Sequence, residues 1–213
     1  MTQTINHVSF DLDGTLVDSF DVMRQSWEAA TRELGINCGF ERYRGYVGLP
    51  FEQILQNIGL SDYRAELSEL YFKGTRARQG QITVISGATA LLQDLRQRGL
   101  GLSIITSKPR ANAEPLLQEM RLDVDMLICA DDVPRGKPDP LAATLVCERF
   151  SVAPAEVLYV GDMVFDLQFA LNARMPFLFF ENEGRNRLPA NLRNPVRRVP
   201  ALSAITAEFL AEW

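Results

Sequence analysis

The stretch Ile5-Asn6-His7-Val8-Ser9-Phe10-Asp11-Leu12-Asp13-Gly14-Thr15-Leu16-Val17-Asp18-Ser19 decides how the rest of the chain is read. Apolar and β-favouring residues run from Ile5 to Phe10 and stop at Asp11-Leu12-Asp13-Gly14-Thr15. This pattern predicts a buried strand whose C-terminal end carries two carboxylates on a Gly-bearing turn. Residues two apart on a strand share a face, so Asp11 and Asp13 look into one cavity while Leu12 turns into the core. In open parallel sheets, ligands bind in the crevice beyond the strand C-termini. Two carboxylates held close repel each other unless a cation lies between them or one keeps its proton. Either outcome serves catalysis, with one ionised nucleophile, one acid and base, and a hard metal ion. The plain alternative is an Asp-rich turn after a core strand, and this stretch alone leaves both readings open.

The chain of 213 residues has room for one ordinary domain and a small inserted one. At 46% hydrophobic and 23% charged residues it can fill a sizeable core. A net charge of −5 excludes the basic footprint of a nucleic-acid binder. Apolar runs are too short for a membrane span, and the N-terminus has no basic-then-apolar signal pattern, so neither membrane nor nucleic acid is expected as a partner. Cys38, Cys129 and Cys147 are widely spaced without a CxxC pair, as in a reduced cytoplasmic protein rather than a disulfide framework or zinc site. The single histidine, His7, lies on the wrong side of Asp11 for a triad and reads as structural.

From Ser19 to about Leu34 apolar positions recur at three and four, predicting a helix stopped by Gly35. Shorter pieces follow, broken by Gly39, Gly45, Gly48 and Gly59. A helix entered at Pro50 carries Phe51, Ile54, Leu55 and Ile58, and another runs from Asp62 to about Arg78. This is too long for a loop, so residues 18–80 are expected to form an inserted all-helical cap domain. Residues 1–17 and 81–213 then form the α/β core domain. There, helices at 87–98, 111–120, 138–150, 164–173 and 202–212 alternate with strands at 102–105, 126–129, 157–160, 177–180 and 196–199, with a loop at 181–195. Such alternation implies a parallel sheet wound on both faces, a doubly wound Rossmann-like core.

Three further strand ends carry chemistry. Thr106 closes the strand after the insertion, and its hydroxyl, with the backbone N–H of Ser107, can hydrogen-bond a phosphoryl oxygen or merely cap the next helix. In Arg135-Gly136-Lys137-Pro138-Asp139-Pro140 the prolines stiffen a turn at a helix start from which Lys137 projects. A fixed ammonium there can neutralise charge on a transferring group, where an isolated Lys reads more simply as solvated. In Gly161-Asp162-Met163-Val164-Phe165-Asp166 the first carboxylate sits at a strand end and the second one helical turn on, so both can face the crevice. Helix capping is the simpler role for Asp162.

The four motifs, in this order, resemble those of the haloacid dehalogenase-like superfamily of phosphatases and phosphotransferases, and the likeness covers essentially the whole chain. Ser107 stands where many relatives have Asn, and Met163 replaces a small polar residue. The insertion resembles the smaller cap of the branch that includes phosphoglycolate phosphatase, β-phosphoglucomutase, phosphonatase and haloacid dehalogenase. Asp13 is present, unlike in a dehalogenase or a phosphonatase. Met23 and Phe51 stand near the places where a mutase would carry histidine and arginine. A plain phosphatase remains. The resemblance implies Asp11 as nucleophile, Asp13 as acid and base, and Mg²⁺ held by Asp11, the carbonyl of Asp13, and Asp162. It also implies Thr106 and Lys137 on the phosphoryl oxygens and Asp166 behind them. Substrate selection is expected in the cap, around Arg42, Tyr43, Arg44, Tyr46, Gly48 and Phe51, although these can equally pack the cap on the core. A small phosphorylated metabolite is the expected substrate: phosphoglycolate, a sugar phosphate or a nucleotide. The other readings are phosphotransfer to a sugar and a phosphate-binding protein without turnover. Oligomeric state is not legible.

Overall fold

A computed structural model describes residues 4–189 and 196–213. The first strand, β1 (His7–Phe10), lies where the opening stretch predicts it and is buried along its whole length. After a short β2 (Val17–Asp18) the chain forms four helices: α1 (Phe20–Glu33), α2 (Phe40–Arg44), α3 (Phe51–Asn57) and α4 (Arg64–Ala77). It returns through β3 (Thr83–Val84), which pairs antiparallel with β2. Alternation then resumes with α5 (Ala88–Gln97), β4 (Gly101–Ile105), α6 (Arg110–Met120), β5 (Met126–Ile128) and α7 (Leu141–Phe150). The chain closes with β6 (Val157–Gly161), α8 (Val164–Ala173), β7 (Phe177–Phe180), β8 (Arg197–Val199) and α9 (Ala207–Ala211).

The larger sheet has six strands in the order β5-β4-β1-β6-β7-β8. Every pairing in it is parallel. The fold is therefore α/β, a doubly wound parallel sheet with an inserted helical region. Strand β1 sits between β4 and β6, so the ends of β1, β4 and β6 open side by side into one crevice, where the strand order reverses direction.

Period-two alternation divides the core. Val8, Phe10, Leu102, Ile104, Leu158 and Val160 join one apolar cluster on one face of the sheet. Ile105, Val157, Tyr159 and Phe169 belong to a second cluster on the other face. His7, Ser9 and Asp11 alternate with Val8 and Phe10 and share that second face. His7 Nε2 meets Ser103 Oγ at 2.9 Å, and Ser103 Oγ meets Ser9 Oγ at 2.7 Å. His7 also packs its ring 4.5 Å from that of Phe150 and is fully buried, which is a structural role.

The insertion has its own core of Trp27, Tyr43, Phe51, Leu55, Leu67 and Tyr71, with α1 packed on α4. Trp27 stacks on Tyr43, and Phe51 stacks on Tyr71. Two helix expectations are corrected. The helix expected over 138–150 starts at Leu141 because Asp139 Oδ1 accepts the Leu141 N–H at 3.0 Å and holds the preceding residues in a turn. The helix expected over 202–212 is broken, because the Thr206 hydroxyl accepts the Phe209 N–H at 3.3 Å and starts α9 at Ala207. Of the loop expected at 181–195, residues 190–195 lie outside the described residues, as do residues 1–3. Among the described residues, no helix is long and apolar enough to cross a membrane.

Candidate active site

Asp11 leaves the end of β1 with its N–H on the Val160 carbonyl at 2.9 Å, which ties it to the neighbouring strand. Its Oδ1 accepts from Lys137 Nζ at 2.5 Å. The same ammonium donates to Asp166 Oδ1 at 2.7 Å and to the Tyr159 hydroxyl at 3.2 Å. Lys137 is buried with three oxygens around it, as a buried ammonium must be. Asp166 Oδ2 accepts the N–H groups of Asp162 and Met163 at 3.2 and 3.0 Å. One carboxylate thus fixes both the lysine and the turn after β6. A side chain at Gly161 would collide with Asp166, so the strand needs glycine there.

Asp162 completes the cluster. Thr15 Oγ1 donates to its Oδ1 at 3.1 Å, while Oδ2 is buried and has no hydrogen-bond partner among the described residues. Gly14, at φ +92°, turns the chain beneath it, and a Cβ at that position would occupy the space of Asp162 Oδ2. Oxygens of Asp11, Asp162 and Asp166 lie within 4.8 Å of one another. Burial raises the Asp11 carboxyl to about 7, with Lys137 pulling it down and Asp166 and Asp13 pushing it further up. Burial, then Asp11 and Asp166, hold Asp162 well above the ordinary range. Burial works against the Lys137 charge, but Asp11 and Asp166 outweigh it and raise its pKa. A hard divalent cation fits this donor set: carboxylates crowded in a dry crevice, with one orphaned oxygen aimed into it. Asp166 has both oxygens engaged, which leaves Asp11 and Asp162 as the open pair.

Asp13 is turned away from that cluster. Its Oδ1 accepts from Ser19 Oγ at 2.6 Å and lies 3.1 Å from Lys108 Nζ. Thr106 is buried at the end of β4, and its Oγ1 accepts the Lys108 N–H at 3.1 Å. Asp11, Asp13, Thr106, Ser107 and Gly48 line one cavity beneath the insertion. Ser107 spends its hydroxyl on the Gly48 carbonyl at 2.6 Å, a bond between core and insertion. Gly48, at φ +103°, rests close to Met163 and Phe165. Met163 therefore lines the cavity and packs against the insertion's apolar core.

Arg44 is not brought into the cavity. It lies in an outer groove with Phe20 and Arg187, 3.8 Å from Glu41 and with its guanidinium over the Phe20 ring. Two residues near the motifs escaped the sequence reading. Lys108 follows Thr106 by two and reads as a solvated lysine until Asp13 is seen beside it. Tyr159 reads as an ordinary strand residue, but its hydroxyl bridges Lys137, Asp166 Oδ1 and the Ile105 carbonyl.

A family profile described as haloacid dehalogenase-like hydrolase matches residues 8–180. A phosphoglycolate phosphatase from Pseudomonas savastanoi pv. phaseolicola is 32% identical, over 95% of this chain and 82% of its own length. A validoxylamine A 7'-phosphate phosphatase from Streptomyces hygroscopicus subsp. limoneus is 32% identical over 72% of this chain and 75% of its own. The crystal structure of a hydrolase from Pseudomonas syringae superposes with a TM-score of 0.77 at 27% identity, covering 83% of this chain and 84% of that one.

Proposed function

The chain belongs to the haloacid dehalogenase-like hydrolases, in the phosphoglycolate phosphatase-like branch with a helical cap, and from that membership we propose a Mg²⁺-dependent phosphomonoesterase acting on a small phosphorylated metabolite. The observation that carries the reading is Lys137, buried between Asp11 and Asp166 beside the open oxygen of Asp162. A phosphoryl group entering this crevice meets a fixed ammonium and an acceptor carboxylate at the end of one strand.

In the first step an Asp11 oxygen attacks phosphorus, the bond to the leaving oxygen breaks, and Asp13 gives that oxygen a proton. In the second, Asp13 takes a proton from water, the water oxygen attacks the aspartyl-phosphate, and Asp11 is freed with release of phosphate. The Thr106 hydroxyl holds a phosphoryl oxygen, and Lys137, kept at its station by Asp11, Asp166 and Tyr159, supplies positive charge beside the transferring group. Asp11, Asp162 and the backbone carbonyl of Asp13 would hold Mg²⁺, which would supply positive charge near the transferring group. Residues 18–80 act as a cap that excludes water from residues 1–17 and 81–213, the catalytic core. The free cysteines suit a cytoplasmic protein.

Phosphoglycolate is the first candidate substrate, because relatives matching nearly the whole chain are named for it. A sugar-phosphate phosphatase is the second reading, since the relatives include a phosphatase of a substrate other than phosphoglycolate, validoxylamine A 7'-phosphate. Phosphate release from phosphoglycolate, sugar phosphates, nucleotides and an aryl phosphate, with Mg²⁺ and with chelator, tests the proposal. Turnover that needs Mg²⁺ supports it. Binding of phosphate without turnover of any ester would overturn it.

A further inference from the structure

The cavity has one wall without charge. From the insertion it receives Met23, Tyr43, Phe51, Ile54, Tyr71 and Phe72. The Tyr43 hydroxyl donates to that of Tyr71 at 2.9 Å, so the proton of one polar tip is already spent. The guanidinium of Arg76 is spent on Asn112 at 3.0 Å, and that of Arg44 lies in the outer groove. Among the described residues, Lys108 is the one cationic side chain lining the cavity.

Lys108 belongs to the core and is held at both ends of its backbone. Its N–H donates to Thr106 Oγ1, and its carbonyl accepts the Ala130 N–H at 3.1 Å. Its side chain is 8% exposed, and Asp13 Oδ1 at 3.1 Å is its one carboxylate partner among the described residues. That oxygen also accepts the Ser19 hydroxyl. An ammonium carries three N–H donors, and a desolvated charge with a single partner favours a second anion.

On the phosphatase reading, Asp13 meets the leaving oxygen, which places the Lys108 ammonium at the first atoms of the leaving alcohol. Resting on that reading, we infer that Lys108 is the specificity residue for the leaving group. The substrate is then a short phosphate monoester whose alcohol carries one carboxylate close to the ester oxygen. A second phosphate group would bring more charge than one ammonium and an aromatic wall can compensate. A neutral polyol would find no charged side chain on the insertion side among the described residues, where the lining is mostly aromatic and aliphatic.

A matched pair of esters tests this: 2-phosphoglycolate, with the carboxylate, and ethyl phosphate, without it. Wild-type protein with Mg²⁺ should prefer 2-phosphoglycolate in kcat/KM by at least about tenfold. In Lys108→Met the ratio should fall toward about one, mostly through KM, with Lys108→Gln as a second neutral variant. Without any variant, glycolate should inhibit wild type competitively where ethanol does not. An unchanged ratio in both variants, or equal inhibition by glycolate and ethanol, overturns the assignment while leaving the phosphatase reading intact. Failure of wild type to hydrolyse even an aryl phosphate overturns the phosphatase reading itself.

Discussion

The two walls of the cavity are built from opposite chemistry. The core wall presents Asp11, Asp13, Thr106 and Lys108, with Lys137, Asp162 and Asp166 packed behind them at neighbouring strand ends. The wall from the insertion presents mostly aromatic and aliphatic side chains, with the Tyr43 hydroxyl bonded to that of Tyr71 and the Thr75 hydroxyl to Phe72 and Asn112. A charged site on a rigid sheet can hold a reacting group in one geometry, whereas an apolar wall can exclude water without competing for charge. On the proposed reading, the division gives the reaction to the core and closure to the insertion.

The sharpest way to break that division is at Asp11. Asp11→Asn keeps the shape of the side chain and removes the proposed nucleophile, so phosphate release should fall by at least about 10⁴-fold. Activity within tenfold of wild type would move the reaction off the core wall. Lys137→Ala should lower kcat by about 10²- to 10³-fold, the scale of a lost oxyanion donor. A loss confined to KM would mean that Lys137 only gathers substrate.

The far end of the same strand face gives a control without catalysis. Burial lowers the His7 pKa to about 4, against an upward pull from Asp125, so the folded protein keeps it neutral near neutral pH. Between pH 6.5 and about 4 the unfolded chain binds a proton there that the folded one does not. Stability therefore falls as pH falls through that window, by about 3 kcal/mol in all from this group. Urea melts across the window should show the slope in wild type and its reduction in His7→Gln. Equal slopes would contradict the assignment. The smallest effect belongs to Arg44→Ala, in the outer groove, which should change kcat/KM by less than about twofold. A tenfold loss would bring the insertion's arginines back into substrate selection.

Much of the core was legible because strand ends and helix starts leave local marks. Phe10 followed by Asp11, Ile105 by Thr106 and Gly161 by Asp162 are abrupt switches from apolar to polar, and a parallel sheet brings such switches to one edge. Tyr159 was hidden because its ring satisfies the strand pattern, while the destination of its hydroxyl depends on the neighbouring strand and on Lys137. Lys108 was hidden for a similar reason, since a lysine after Thr-Ser is ordinary until Asp13, 95 residues earlier in sequence, is placed beside it. The pairing of β2 with β3 left no mark at all, being two residues on each side. On the insertion, Arg42, Tyr43, Arg44 and Tyr46 are neighbours in sequence, and helix rotation sends Tyr43 into the apolar core and Arg44 to the outer groove.

The central claim is that the phosphoryl group passes to a carboxylate oxygen of Asp11. Quenching the protein in acid during turnover, reducing with borohydride and mapping the peptides reads this directly. Conversion of Asp11 to homoserine, seen only with substrate and Mg²⁺ present, is the predicted result. An unmodified Asp11 in protein quenched at full turnover, or reduction at a different carboxylate, would contradict the account.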